Sequence, residues 1–305
     1  MFVHTGDYVE HTSDDALRST YYTFTPLPLQ EGNFYTMDDS LAASLSETHR
    51  TLGVLKGILH SLPDKEAFMD LMLFRESCFS KMVDYPDFNI HAMLSNCGVA
   101  NANDEIQNIK SAYLYAMDTK ISKISHNAIF QHALYGSGSK HRAMPRTRPM
   151  FLTQVVTNYR QYNPTAPREI HSALFDINKY IEIDKSDALI KAAMCHYQFE
   201  MIHPYECYNG IVGRILVHAI LSGTGFDEVR YFNLSEQLYH RKAEYFEMLG
   251  LTQKGGRYSI WIDFFVAPDR SMRTPSLKVT FTSNRGHQLP STNSGAGTGA
   301  GMSGT

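Results

Sequence analysis

Residues 203–214 read HPYECYNGIVGR and follow an apolar, helix-like run, MCHYQFEMI, at 194–202. His203 can move protons near neutral pH, because an unperturbed imidazole titrates close to that range. Asn209 and Gly210 allow a tight backbone approach to a ligand. Gly213 and Arg214 open a second apolar run, ILVHAIL at 215–221, whose first amides point at whatever the turn holds. A helix start of that kind is a ready anion site. The local physics therefore predicts a phosphate beside a general base. A lone histidine in an apolar run more often completes a core, Gly210 alone reads as a loop glycine, and Arg214 alone as a helix-start surface residue. His196, Glu200 and His203 do not match a recognised metal-ligand spacing.

The elements that must hold this stretch are mostly helical. Apolar residues at 41, 45, 52, 55, 58 and 59 follow helical spacing. A second helix is predicted over roughly 65–83 and stops at Tyr85-Pro86-Asp87, since proline cannot continue the hydrogen-bond ladder. A short helix is expected at 88–95. The next is expected from Asp104, as N-cap, to about Lys123, and another after Ser125-His126-Asn127. Helices follow at 166–182, 186–202, 212–223, 233–249 and 257–266. Residues 1–20 are polar and read as a flexible lead-in, and YYTFTPLPLQ (21–30) is extended because each proline biases its predecessor away from helix. GSGSKHRAMPRTRP (136–149) is Gly-rich and basic. FLTQVVTNYRQYNP (151–164) carries the only convincing strand signal, a short β-hairpin. From Ser283 the chain is Gly, Ser, Thr and Asn, too poor in apolar residues to offset ordering entropy, and disorder is expected.

The 305 residues hold 43% hydrophobic and 19% charged side chains, enough for a packed core. A formal net charge of −3 sets up no field for nonspecific nucleic-acid binding. No apolar run approaches the ~20 residues that span a bilayer, and the N-terminus shows no secretory signal pattern. Cys78, Cys97, Cys195 and Cys207 lack C-x-x-C spacing and read as free thiols of a cytoplasmic protein.

The stretch 203–214 resembles the signature of the Fic (Fido) family, H-P-F-x-[D/E]-G-N-G-R-x-x-R, aligned without gaps. His203, Pro204, Asn209, Gly210 and Arg214 match, and Tyr205 is a mild change. Cys207 stands at the acidic position, Tyr208 at a glycine and Ile211 at the first arginine. The likeness extends further. YYTFTPLPLQ is similar to the family's aromatic-proline lead-in, and LSETHRTLGVLKGIL (45–59) to its first long helix. FRESCFSKMVDY (74–85) resembles the segment after it, with Ser80 and Asp84 at the Ser and Glu positions. YFNLSEQLYHRKAEYFEMLG and WIDFFVAPD resemble the closing helices. The resemblance covers about 20–268.

It implies a mainly α, Fic-type helical fold with one small β-hairpin flap. The implied organisation is a lead-in at 1–20, an N-terminal helical region at 21–110 carrying an inhibitory helix, a Fic core at 111–268 and a disordered tail at 269–305. It implies transfer of AMP from ATP to a hydroxyl of a target protein. His203 would be the base, and Asn209, Gly210, Gly213 and Arg214 the phosphate site. Ser80 and Asp84 would restrain it, Asp84 by pairing with Arg214. Phe151, Val155, Tyr159 and Tyr162 on the flap would meet an extended target segment by strand addition. Cys207 offers a soft sulfur where the family uses a carboxylate for Mg²⁺, a hard ion that prefers oxygen. Glu206 is the nearest substitute and points elsewhere. The losses at 207, 208 and 211 predict weakened chemistry, and the alternative reading is a catalytically impaired nucleotide- or protein-binding regulator.

Overall fold

A computed structural model describes residues 5–13, 18, 20–32, 34–88, 100–142, 144–150, 163–256 and 258–267, the side chains of 100–103 excepted. The expected short helix at 88–95 (beyond 88), the strand signal over 151–162 and the Gly/Ser-rich tail lie outside them. Among the described residues the chain is helical, with one two-stranded sheet.

Strand β1 (Gly6–Thr12) pairs antiparallel with β2 (Thr20–Pro26), in register from Gly6 against Pro26 to Thr12 against Thr20. This corrects the reading of 1–20 as a loose lead-in. The sequence GDYVEHT hides the strand because β1 is mostly exposed and has little apolar alternation to show. β2 supplies the buried face through Phe24. On its other side β2 meets the end of the predicted 151–164 hairpin. Phe24 N–H donates to the Asn163 carbonyl at 2.8 Å, and Thr165 Oγ1 donates to the Phe24 carbonyl at 3.1 Å.

Helix α1 (Asp39–His60) starts where the Asp38 side chain accepts from Leu41 N–H, and α2 (Lys65–Asp84) where Asp64 accepts from Ala67 N–H. Each carboxylate satisfies one of the orphan donors of a first turn. Helix α3 (Ala100–Asp118) begins four residues before Asp104, which therefore lies within the helix rather than capping it. Ser125 caps α4 (His126–Tyr135), and Gly136, at φ 81°, ends it. Helices α5 (Ile170–Ile183), α6 (Ala188–Ile202) and α7 (Asn209–Gly223) follow. The predicted helix at 233–249 is two, α8 (Leu234–His240) and α9 (Lys242–Gly255), broken at Arg241. Helix α10 (Tyr258–Val266) is the last.

Helices α6 and α7 are the centre. Leu189–Ile202 of α6 and Asn209–Leu221 of α7 are buried throughout, the pattern of helices enclosed on all sides. Helix α7 packs on α6, α3, α2 and α4, while α10 closes α6, its buried Trp261 donating to the Ala193 carbonyl at 2.8 Å. The described residues all belong to a compact unit, Met1–Asp269. No described helix is long and apolar enough to cross a membrane.

Candidate active site

The loop 203–208 joins the two central helices and begins and ends on left-handed residues. His203 (φ 49°, ψ 62°) closes α6, its N–H donating to the Phe199 carbonyl at 2.9 Å, and Pro204 then prevents further helix. Tyr208 (φ 62°, ψ 16°) opens α7. The left-handed region costs a residue with a Cβ roughly 1–2 kcal/mol, so surrounding contacts must impose both conformations. Tyr208 occupies the position where the resembling signature has glycine, and its left-handed backbone is one that glycine adopts without steric cost.

Several contacts pin the loop. The Asn209 side chain bridges one residue, Oδ1 accepting from Tyr205 N–H and Nδ2 donating to the Tyr205 carbonyl, each at 2.8 Å. Tyr205 is fully buried, stacked on Phe130 at 4.0 Å, and donates its hydroxyl proton to Asn127 Oδ1 at 2.8 Å. Arg146 reaches in from the basic stretch 136–149 and binds carbonyls at the end of α6. Tyr208 packs edge-on against Tyr85, and the Lys81 ammonium lies 3.7 Å from the Tyr85 ring centre and 4.6 Å from that of Tyr208. Lys81 also pairs with Glu105 and donates to the Tyr208 hydroxyl at 3.2 Å.

The first turn of α7 holds an anion supplied by the chain itself. A Cβ on Gly210 would lie 2.5 and 2.6 Å from the two carboxylate oxygens of Asp84, so only glycine leaves room for them. Asp84 Oδ2 accepts from Arg214 Nη2 at 2.8 Å and Oδ1 from Nη1 at 3.4 Å. Ser80 accepts from the same guanidinium through its hydroxyl (3.0 Å) and its carbonyl (2.7 Å). Arg214 is wholly buried. Burial by itself would lower its pKa, but the Asp84 carboxylate reverses that and holds the guanidinium charged more firmly than usual. Ser80 and Asp84 thus meet Arg214 and Gly210, as their one-turn spacing on α2 allows.

Other expected site residues lie elsewhere. Gly213 faces α6: a Cβ there would come within 3.0 Å of Glu200 and 3.1 Å of His196, so close helix packing accounts for the glycine. Asn209 spends its side chain on Tyr205. Ile211 is fully buried in the hydrophobic core. Phe151, Val155, Tyr159 and Tyr162 lie outside the described residues. Glu206 is exposed. Cys207 is half-buried and a free thiol. Burial raises its pKa, nearby Lys81 opposing and Glu206 and Glu105 reinforcing, so it stays neutral. A neutral thiol beside an exposed carboxylate does not fit Mg²⁺, which needs several oxygen ligands, and no cluster of three metal-ligating side chains occurs among the described residues.

Sequence reasoning missed Arg146, Lys81 and Lys242. Lys242 borders a cleft of about 380 Å³, lined also by Met82 and Pro86, which flank Asp84 in the chain, and by Phe88, Tyr239 and His240. Partial burial lowers its pKa, with Asp84 opposing and Arg214 reinforcing. The Lys81–Tyr85 spacing of four on α2 was the one available signal.

Residues 118–221 match the Fic/DOC family model. A probable protein adenylyltransferase of Aquifex aeolicus (strain VF5) is 34% identical over 74 residues, 24% of this chain and only 23% of that protein. A Fic family protein of Desulfovibrio desulfuricans G20 superposes with a TM-score of 0.62 at 15% identity, over 76% of this chain and 72% of that one. A Fic-domain signaling protein of Bacteroides thetaiotaomicron VPI-5482 gives 0.52 at 15% identity, over 73% and 92%. Fic-1 of C. elegans (residues 134–508) gives 0.51 at 17% identity, over 74% and 70%. At such identities these structures establish the fold. Together with the matched model, they show that the chain carries, over residues 118–221, a domain of the Fic/DOC family.

Proposed function

We propose that the first turn of α7 receives the phosphates of a nucleotide such as ATP, and that the chain is a restrained, weakened protein adenylyltransferase. The observation that carries this reading is the Asp84 carboxylate seated against Gly210 and Arg214, one loop away from His203. It is an internal stand-in for a phosphate, held by a guanidinium and by the partial positive charge of a helix start. In the transfer, a target hydroxyl oxygen attacks the α-phosphorus, His203 takes its proton, and the bond to the β-phosphate oxygen breaks to release pyrophosphate. A positioned base contributes about 10²–10⁴-fold to such a step. Arg214 would neutralise charge on the terminal phosphates once Asp84 withdraws. The donors at 206–207, an exposed carboxylate and a neutral thiol, do not fit Mg²⁺. Free thiols at Cys78, Cys195 and Cys207 support a reducing, cytoplasmic setting.

A second reading, binding without turnover, draws on Cys207 as a neutral thiol and Ile211 in the core, which leave two functional positions without charge. Transfer of label from α-phosphate-labelled ATP to the chain or to added protein separates the two. The first reading expects Asp84→Ala to raise transfer at least tenfold and His203→Ala, in that background, to abolish it. Saturable ATP binding by Asp84→Ala with no label transferred establishes the second. Loss of ATP binding in both wild type and Asp84→Ala defeats both.

A further inference from the structure

We propose that Arg146 is the positioning residue of His203, a buried cation that caps α6 and fixes the backbone on which the imidazole is mounted. The inference rests on His203 being the base. Arg146 is 4% exposed. Its Nε donates to the carbonyl of His203 itself at 2.9 Å, and its Nη2 approaches that of Ile202 at 3.5 Å. Its backbone N–H donates to the Pro204 carbonyl at 2.8 Å. One residue thereby holds carbonyls on both sides of the turn from α6 into the loop. Its Nη1 donates to the Arg148 carbonyl at 3.0 Å and its Nη2 to that of Thr165, so the guanidinium is itself anchored by its own stretch and by one further segment.

The arrangement answers two needs of this turn. The last carbonyls of a helix have no partner within it and carry the negative end of its dipole, so a fixed cation there is favourable. His203 must also stay at φ 49°, ψ 62°, a conformation a residue with a Cβ leaves readily unless its neighbours enforce it. The carbonyl that Arg146 Nε grips is the one whose direction changes when ψ of His203 changes. Releasing it frees the residue to rotate and lets the imidazole leave the place its backbone now gives it. A planar fork of five donors can serve several carbonyls at once, whereas a lysine ammonium is a single point.

The test uses the full chain labelled with ¹³C-histidine, the His203 ring signal being assigned by its loss in His203→Gln. Wild type should give one His203 signal. Arg146→Gln should split it into two or more, or broaden it, while the signals of the buried His196 and His218 stay in place. Arg146→Lys should show the same splitting, and it keeps the charge if the glutamine variant fails to fold. A single, unshifted His203 signal in folded Arg146→Lys or Arg146→Gln overturns the proposal, as does equal disturbance of all three histidines. In the Asp84→Ala background, Arg146→Lys should lower kcat on the order of 10²-fold with KM for ATP within about twofold. Should Asp84→Ala transfer nothing, the transferase reading falls, and the histidine signals still decide the role of Arg146.

Discussion

The two helix ends that meet at loop 203–208 are neutralised by opposite charges, and in opposite ways. At the C-terminus of α6 the partner is Arg146, buried and bound to carbonyls of several segments. At the N-terminus of α7 it is Asp84, whose side chain is still 22% exposed and pairs with the Arg214 guanidinium. Both respect the helix dipole. The first cap is woven into the backbone of the core. The second hangs from the last residue of α2, with a cleft beside it. A fixed cap would suit an end that carries the proposed base, and a removable one an end that receives the proposed nucleotide.

Substitutions at the two ends should therefore differ in size. Removing Arg146 strands several buried carbonyls, each costing about 1–3 kcal/mol when left unpaired, and urea unfolding of Arg146→Gln should show a loss of about 3–5 kcal/mol. The fixed end is also the one that acid attacks. His126, stacked on Phe199 of α6, has its pKa lowered by burial to about 4. The unfolded chain then takes up the proton near 6.5 and the folded chain only near 4, so stability falls as pH drops through that window. The full loss is roughly 3 kcal/mol, and His126→Phe should flatten the profile. Asp84→Ala leaves the buried Arg214 guanidinium without its counter-ion and should cost about 3 kcal/mol, the low end for breaking a buried ion pair, since Ser80 still accepts from Arg214. Added pyrophosphate should restore part of that loss and do less for wild type. A loss as large as that of Arg146→Gln, without rescue by pyrophosphate, would show that the two caps are alike. The smallest effect is expected at Tyr208. Tyr208→Gly relieves a left-handed backbone worth about 1–2 kcal/mol but removes a buried ring packed on Tyr85 and Lys81, and should lower the unfolding free energy by only about 2 kcal/mol.

Much of the open end was legible in the sequence and little of the fixed end. His203, Gly210, Arg214, Ser80 and Asp84 are marked by the resemblance to the Fic signature and its preceding segment, and the one-turn spacing of Ser80 and Asp84 lets both reach Arg214. Arg146 is not marked, because it binds backbone carbonyls, which every residue has, at sequence separations that no local period marks. Gly213 and Asn209 show how structural needs resemble ligand-binding ones. A glycine needed for helix packing and an asparagine bracing a loop look the same in sequence as ligands of a phosphate. The helical architecture followed from apolar periodicity, whereas β1 escaped because an exposed edge strand needs little of it.

The carboxylate seated at Gly210 also sets how any affinity measured for this site must be read. Only molecules from which Asp84 has withdrawn can accept an outside anion, so the apparent dissociation constant is the intrinsic one divided by the fraction withdrawn. If that fraction is about one in a hundred, binding appears about a hundredfold weaker than the first turn of α7 could deliver. Weak binding by the wild-type chain then measures the occupancy of its own aspartate, and ranking nucleotides requires the Asp84→Ala protein.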